Sequence, residues 1–261
     1  MFNFFKSSVK ETDISLLIQG PFNTECFNSI KSSKFKFKQI IYSTWANENI
    51  DYSNFKNLEG FEAVIQDLPD VTNITNIANI YYQICSTLEG LKLVKTKYVM
   101  KHRADESYNK LNLVIEKFDP QKLLCSNIYF RPIKYQAFHI SDHFFIGETS
   151  RLTETFSELK KYFDGKNDYL KILDVRHAPE QMIALFYLAT FGYKIEELLD
   201  SKKDKDFVFE IMVKHFDVFD VKHLKPYSIK HNHLKSIIYD LKKVDKNILL
   251  KYIANMKDIK S

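Results

Sequence analysis

At 261 residues the chain has room for one large α/β domain or two small ones, and 45% hydrophobic against 27% charged residues provides a true core, which excludes a disordered segment. A net charge of +5 is spread over scattered lysines without an arginine-rich stripe, which excludes nucleic acid as a partner and leaves anionic ligands or membrane surfaces. Cys26, Cys85 and Cys125 are widely separated with no CxxC spacing, so neither a disulfide framework nor structural zinc is signalled, as suits a reducing cytoplasm.

The opening MFNFFKSSVKETD has too short an apolar stretch for a signal peptide, and no run of about 18 apolar residues occurs, so a cytoplasmic chain that does not span a membrane is expected. Phe2, Phe4, Phe5 and Lys6 leave two readings open, peripheral contact with the inner membrane or packing against the domain. Ile14–Ile18 is a continuous apolar run ending in Gln19-Gly20-Pro21, the pattern of a buried parallel strand with a sharp break after it. Thr24–Ser33 predicts a short helix, Gln39–Thr44 a second strand, and Ala63–Ile65 a third that ends in the turn residues around Asp67. From Asn73 to Leu91, apolar residues at spacings of three and four predict an amphipathic helix. Tyr98–Met100 follows as a strand that delivers Lys101 to Glu106 to its carboxyl end. Leu123–Tyr129 and Phe144–Gly147 read as strands, Thr153–Tyr162 and Pro179–Phe191 as helices, Asp200–Asp206 as a solvated loop, and Leu234–Met256 as a helical tail.

Strands alternating with helices predict an α/β fold, a mostly parallel Rossmann-like sheet with helices on both faces and a helical C-terminal tail. The expected organisation is a ligand-binding and catalytic domain over 1–195, with 196–261 as a mostly helical extension of the same domain. In such sheets ligands bind beyond the carboxyl ends of the strands, which places Gln19-Gly20-Pro21, Ser43-Thr44-Trp45 and Lys101 to Glu106 around one crevice. Neither GxGxxG nor GxxxxGK[ST] is present, so a pyrophosphate there needs cations or a metal. Arg103 can pair with phosphate oxygens, and Asp105 is a hard oxygen ligand for Mg²⁺ or Mn²⁺.

Asp142, set between aromatics in FHISDHFF, is a candidate general base or a plain turn residue. Glu180 after Pro179 is a second candidate, or simply a first-turn acid that suits the helix dipole. His231, with His233, is either a further metal ligand or a solvated histidine. Trp45, the single Trp, can stack on a base or sugar or pack in the core.

In order, IQGP at Ile18–Pro21, STW at Ser43–Trp45, the helix carrying Asn79 and Gln83 into STLEGL, then TKYVMKHRADE, FHISDHFFIG and APEQ resemble the WavE lipopolysaccharide synthesis family. The resemblance spans about residues 14–185. It implies a GT-A-like glycosyltransferase in which the first loop and second strand hold the nucleotide and a D-x-D-type motif holds a divalent metal, Mn or Mg. Arg103-Ala104-Asp105 occupies that motif, with Arg in its first acidic position, which leaves Asp105 as the metal contact and Lys101 or Arg103 for the diphosphate. The implied partners are a nucleotide-sugar donor and an oligosaccharide or lipid-linked glycan acceptor of lipopolysaccharide or capsule. A nucleotidyltransferase or pyrophosphatase using the same crevice, and a non-catalytic glycan-assembly protein, are the alternatives.

Overall fold

The computed structural model describes residues 13–32, 36–48, 55, 58–71, 78–131, 133, 136–166, 178–225 and 227–228. The chain begins β1 (Ile14–Gln19), α1 (Thr24–Ser32), β2 (Gln39–Trp45), β3 (Phe61–Gln66), α2 (Ala78–Lys92) and β4 (Tyr98–Arg103). It continues through β5 (Ser107–Tyr108), α3 (Asn112–Lys117), β6 (Leu123–Ser126), β7 (Phe144–Glu148), α4 (Thr149–Phe163) and α5 (Pro179–Ala189). Last come α6 (Ile195–Asp200), α7 (Lys205–His215), β8 (Phe216–Phe219) and β9 (Tyr227–Ser228).

Seven of these strands form one sheet in the order β3-β2-β1-β4-β7-β6-β8, while β5 and β9 pair separately. Pairing is parallel throughout the large sheet except at β7, which is antiparallel to both β4 and β6. The chain first travels outward from β1 to β3, then returns across β1 to start β4 on its other side. With right-handed crossovers, that reversal of travel puts α1 and α2 on opposite faces. The strands alternate to match. Ile14, Leu16 and Ile18 pack with Cys26, Phe27 and Ile30 of α1, whereas Leu17 and Ile41 pack with Ile84, Leu88 and Leu91 of α2.

Local chemistry sets the helix ends. Asn23 Oδ1 accepts from the backbone N–H of Glu25 at 2.8 Å and of Cys26 at 3.1 Å, satisfying two donors at the start of α1. Asp204 caps α7 through the N–H of Phe207. The charged stretch 200–206 is therefore not the solvated loop its composition suggests, but the end of α6, a 3₁₀ turn at Ser201–Lys203 and the start of α7.

Three further boundaries differ from the sequence reading. β4 runs on through Arg103, because β1 pairs with it as far as Arg103 and β7 as far as His102. β6 stops at Ser126, where Asn127 turns the chain by bonding Asp220 and the N–H of Val221. β8 adds Phe216–Phe219 to the far edge of the main sheet. The expected start of α2 at Asn73 and the helical tail at Leu234–Met256 lie outside the described residues. Among the described residues no helix is long and apolar enough to cross a membrane.

α2 lies close on the sheet at Gly90, where an added Cβ would meet Leu17 Cδ1 at 2.3 Å and Ser43 Cβ at 3.2 Å. Overpacking of this kind costs about 1–3 kcal/mol. Gly90→Val is therefore expected to lower the unfolding free energy by that amount, seen as a lower urea midpoint at an unchanged m-value, and a variant as stable as the parent would show that the helix can lift off freely.

Candidate active site

The reversal of strand order puts a switch point between β1 and β4, where open α/β sheets hold their ligands. Gln19 and Ala104 mark its two sides, joined by the Ala104 N–H to the Gln19 carbonyl at 2.9 Å. Gly20 leaves β1 at φ +120°, a conformation that favours glycine, and its carbonyl accepts from the Tyr42 hydroxyl. β7 enters the sheet from this same end because it is antiparallel, so the residues just before it, Ser141 to His143, arrive beside the carboxyl end of β4. The first turn of α5 is tied in through Gln181, which donates to the Ala137 carbonyl at 2.7 Å and accepts from Gln136 at 2.6 Å. Three elements thus deliver side chains to one place.

The charges there are paired. Arg103 makes a two-pronged contact with Asp105, Nε to Oδ1 at 3.0 Å and Nη2 to Oδ2 at 2.8 Å, and its Nη1 lies 3.6 Å from Asp142 Oδ2. Burial works against the Arg103 charge, but Asp105 and Asp142 outweigh it and raise its pKa. Lys101 is fully buried and donates to the Asp142 carbonyl at 2.8 Å. Burial lowers its pKa to about 8. Gln83 of α2 donates to Asp142 Oδ2 at 3.0 Å. Burial of Asp142 opposes its charge, yet His143, Lys101, Arg103 and Gln83 together hold its pKa below the usual value.

Behind this lies a second pair. Glu106, 1% exposed, accepts from the Tyr108 hydroxyl at 2.6 Å and contacts His143 Nδ1. The His143 ring stacks on Tyr129 at 5.4 Å and turns Nε2 toward Asp142 Oδ1 at 3.9 Å. Burial opposes both charges, but each partner prevails over it: His143 lowers the Glu106 pKa and Glu106 raises that of His143. Tyr129, whose ring stacks on His143, holds φ of 55°, rarely adopted by non-glycine residues, and Phe138 holds 56° in the segment that leads to Asp142.

Glu180 behaves in the opposite way to Asp142. Burial, then the negative charge of Asp142, raises its pKa to about 7. Its neighbour His139, with Nε2 at 3.7 Å, has its pKa lowered to about 4 by burial and Arg131, so the contact is not an ion pair at neutral pH. Two carboxyl groups in one crevice thus have proton affinities pushed apart, the arrangement that separates a fixed anion from an acid or base.

The sequence-derived candidates fall into groups. Arg103, Asp105, Asp142, Gln83 and Glu180 converge as described, and Asn79 lies one turn before Gln83 on α2, exposed. Gln19, Gly20 and Pro21 border the switch point, with Pro21 exposed. Asp67 follows β3 and is exposed. Ser43, by contrast, spends its hydroxyl on the Ser86 carbonyl at 2.6 Å, and Thr44 is fully buried. Trp45 is 7% exposed and packs with Tyr81, Tyr82 and Cys85 on α2, so it serves the core and offers no open stacking face. Lys101 is enclosed in the strand, too deep to face a ligand directly. His231 lies outside the described residues.

Glu106 was expected at the crevice only as the end of the segment from Lys101 and without a role, and His143, Tyr108, Tyr129 and His139 were not among the candidates. The signal available was the pair His139 and His143 flanking Asp142 in an aromatic stretch, four residues apart. What joins His143 to Glu106 is the pairing of β4 with β7, which no local pattern reveals.

A divalent metal finds no preformed place here. Among the described residues no three His, Cys, Asp or Glu side chains converge as a ligand set. Asp105 already faces the Arg103 fork with both oxygens. Two unit charges about 4 Å apart interact by roughly 4 kcal/mol at an effective dielectric of about 20, and a divalent ion doubles that. An ion on Asp105 would meet that repulsion from the guanidinium, so the described residues do not fit a resident metal.

A family model described as WavE lipopolysaccharide synthesis matches residues 14–206, from β1 to the start of α7. No curated protein matches the chain. Among solved structures, the chain is similar to 4-diphosphocytidyl-2C-methyl-D-erythritol synthase from Anaerococcus prevotii DSM 20548, at 12% identity and TM-score 0.45, over 90% of this chain and 100% of that one. It is also similar to the galactosyltransferase LgtC in complex with donor and acceptor sugar analogues, at 10% identity and TM-score 0.45, over 67% of this chain and 70% of that one. Likeness at this level carries nothing about chemistry.

The Glu106–His143 pair makes stability depend on pH in a defined way. The lowered Glu106 pKa adds stability above its ordinary value of 4.5, lost as pH falls through the folded value; the raised His143 pKa adds stability below 6.5, lost as pH rises through the folded value. Glu106→Gln, which strands a buried imidazolium, is expected to cost about 3–5 kcal/mol. Urea unfolding across pH should show the gap between parent and variant widest between those two values, and a gap independent of pH would contradict the pairing.

Proposed function

Because the chain belongs to the WavE lipopolysaccharide synthesis family, we propose that it transfers a sugar from a nucleotide-diphosphate donor to a bacterial surface glycan, of lipopolysaccharide or capsule. The observation that carries the reading is a pair of carboxyl groups that differ in proton affinity, Asp142 fixed as an anion near Arg103 and Glu180, within reach of the Asp142 charge, with a pKa near 7.

In this reading the nucleotide lies over the loop Gln19–Pro21 and the ends of β2 and β3, with Asn79 and Gln83 of α2 and Asp67 at its border. Ser43, Thr44 and Trp45 support that floor from within. The diphosphate meets Arg103. An acceptor hydroxyl gives its proton to Glu180 as its oxygen bonds to the anomeric carbon, and the bond from that carbon to the diphosphate oxygen breaks with its electrons on the leaving group. The anomeric centre inverts in such a single displacement. Asp142 does not take the proton, since its cationic neighbours keep it ionised; its charge instead sustains the proton affinity of Glu180. The acceptor is an oligosaccharide or lipid-linked glycan, met by a cytoplasmic chain at the inner membrane surface.

Turnover of a panel of nucleotide sugars, with product analysis, tests this. Release of a nucleoside diphosphate is expected; release of pyrophosphate would instead indicate nucleotidyl transfer, and calorimetry that detects no nucleotide or nucleotide sugar binding would end the proposal. Glu180 must lose its proton to act as base, so kcat/KM should rise with pH through about 7. Glu180→Gln should lower kcat by about 10²–10⁴-fold and flatten that limb while donor binding persists.

A further inference from the structure

Each carboxylate at the end of β4 already has a cation supplied by the protein. Asp105 holds the Arg103 fork, Glu106 holds His143, and Asp142 lies among Lys101, Arg103 and His143. Lys101 and His143 are enclosed, whereas the Arg103 side chain is 25% exposed, so of these three cations Arg103 is the one that solvent reaches. Of its five N–H groups, one on Nε and one on Nη2 go to Asp105. The Nη1 atom is 3.6 Å from Asp142, too long for a hydrogen bond, so its two N–H groups and the second on Nη2 remain to meet an anion. A guanidinium in this state is planar, permanently charged and already immobilised by Asp105, and it matches two oxygens of a diphosphate at little further ordering cost.

We propose that Arg103, clamped by Asp105 and flanked by Asp142, is a built-in cation that receives the donor diphosphate where a divalent ion would otherwise stand, so that donor binding by this chain is metal-independent. The inference rests on the glycosyl-transfer reading for the identity of the anion, but not for the presence of the site. It assigns Asp105 the work of orienting Arg103 in place of ligating a metal. In the leaving-group step, the charge that develops on the diphosphate oxygen is met by Arg103 N–H groups, with no change in the protonation of the arginine.

The test uses the full chain, His231 included. Calorimetry with UDP, GDP, ADP and inorganic pyrophosphate should give affinities that agree within about threefold in EDTA and in Mn²⁺, and the electron paramagnetic signal of Mn²⁺ alone should be undiminished by the protein. Arg103→Lys keeps a charge but loses the fork, and should weaken diphosphate binding at least about tenfold in EDTA. Arg103→Asp should weaken it further and create Mn²⁺ binding that the parent lacks, because Asp105 then has a carboxylate partner two residues away. Circular dichroism melts of both variants identify any that are unfolded, and the Arg103→Lys result then decides. Binding to the parent that disappears in EDTA would overturn the metal-independent site while leaving glycosyl transfer in place. Metal-independent pyrophosphate binding that depends on Arg103, without turnover of any nucleotide sugar, would uphold the site and remove the glycosyl-transfer reading.

Discussion

The enclosure of charge at the end of β4 is the constraint on which the rest of the site depends. Lys101 is 0% and Glu106 1% exposed. A buried ion costs several kcal/mol unless a partner of opposite sign compensates it, and in this protein the partners come from elements far apart in sequence. Asp142 and His143 arrive with β7, Gln83 with α2 and Glu180 with α5. The cluster therefore records the assembly of the sheet and its helices. Apart from the local Arg103–Asp105 and Tyr108–Glu106 contacts, the cluster forms only once β4 has β7 as a neighbour, and each member is costly to remove singly because the others are left uncompensated.

That dependence explains which parts of the molecule were legible in the sequence. β1, α1, β2 and the described part of α2 were readable because local patterns mark them, such as ISLLI before Gln19-Gly20-Pro21 and apolar residues at three and four in α2. The last half of β4 was not readable as strand. Lys101-His102-Arg103 is polar by composition, and only pairing with β1 and β7 identifies it as buried sheet. β8 is four residues long and follows α7 without a break, so no local period separates the two. The site shows the same division. Residues at strand ends, such as Gln19 and Arg103, could be named from the order of elements, whereas the partnership of Glu106 with His143 is a long-range contact. Ser43, Thr44 and Trp45 end a strand as expected, yet face α2 or the core, since strand polarity says which end a residue occupies and not how deeply it is covered.

The different behaviour of Asp142 and Glu180 can be decided by magnitude. Glu180 stands in the first turn of α5, where the helix dipole favours an ionised carboxylate by about 0.3–1 kcal/mol. Its pKa nevertheless moves from 4.5 to about 7, roughly 3 kcal/mol in the other direction at 1.36 kcal/mol per unit. Burial and the Asp142 charge together exceed the dipole severalfold. Asp142 is buried as well, but it is bordered by Lys101, Arg103 and His143, so there the cations prevail over burial. The same crevice thus holds one carboxylate charged by means of cations and, through burial and then that fixed charge, keeps the second near its midpoint at neutral pH. A group at its midpoint gives up or takes a proton at least cost, which suits it to the role of base proposed for Glu180.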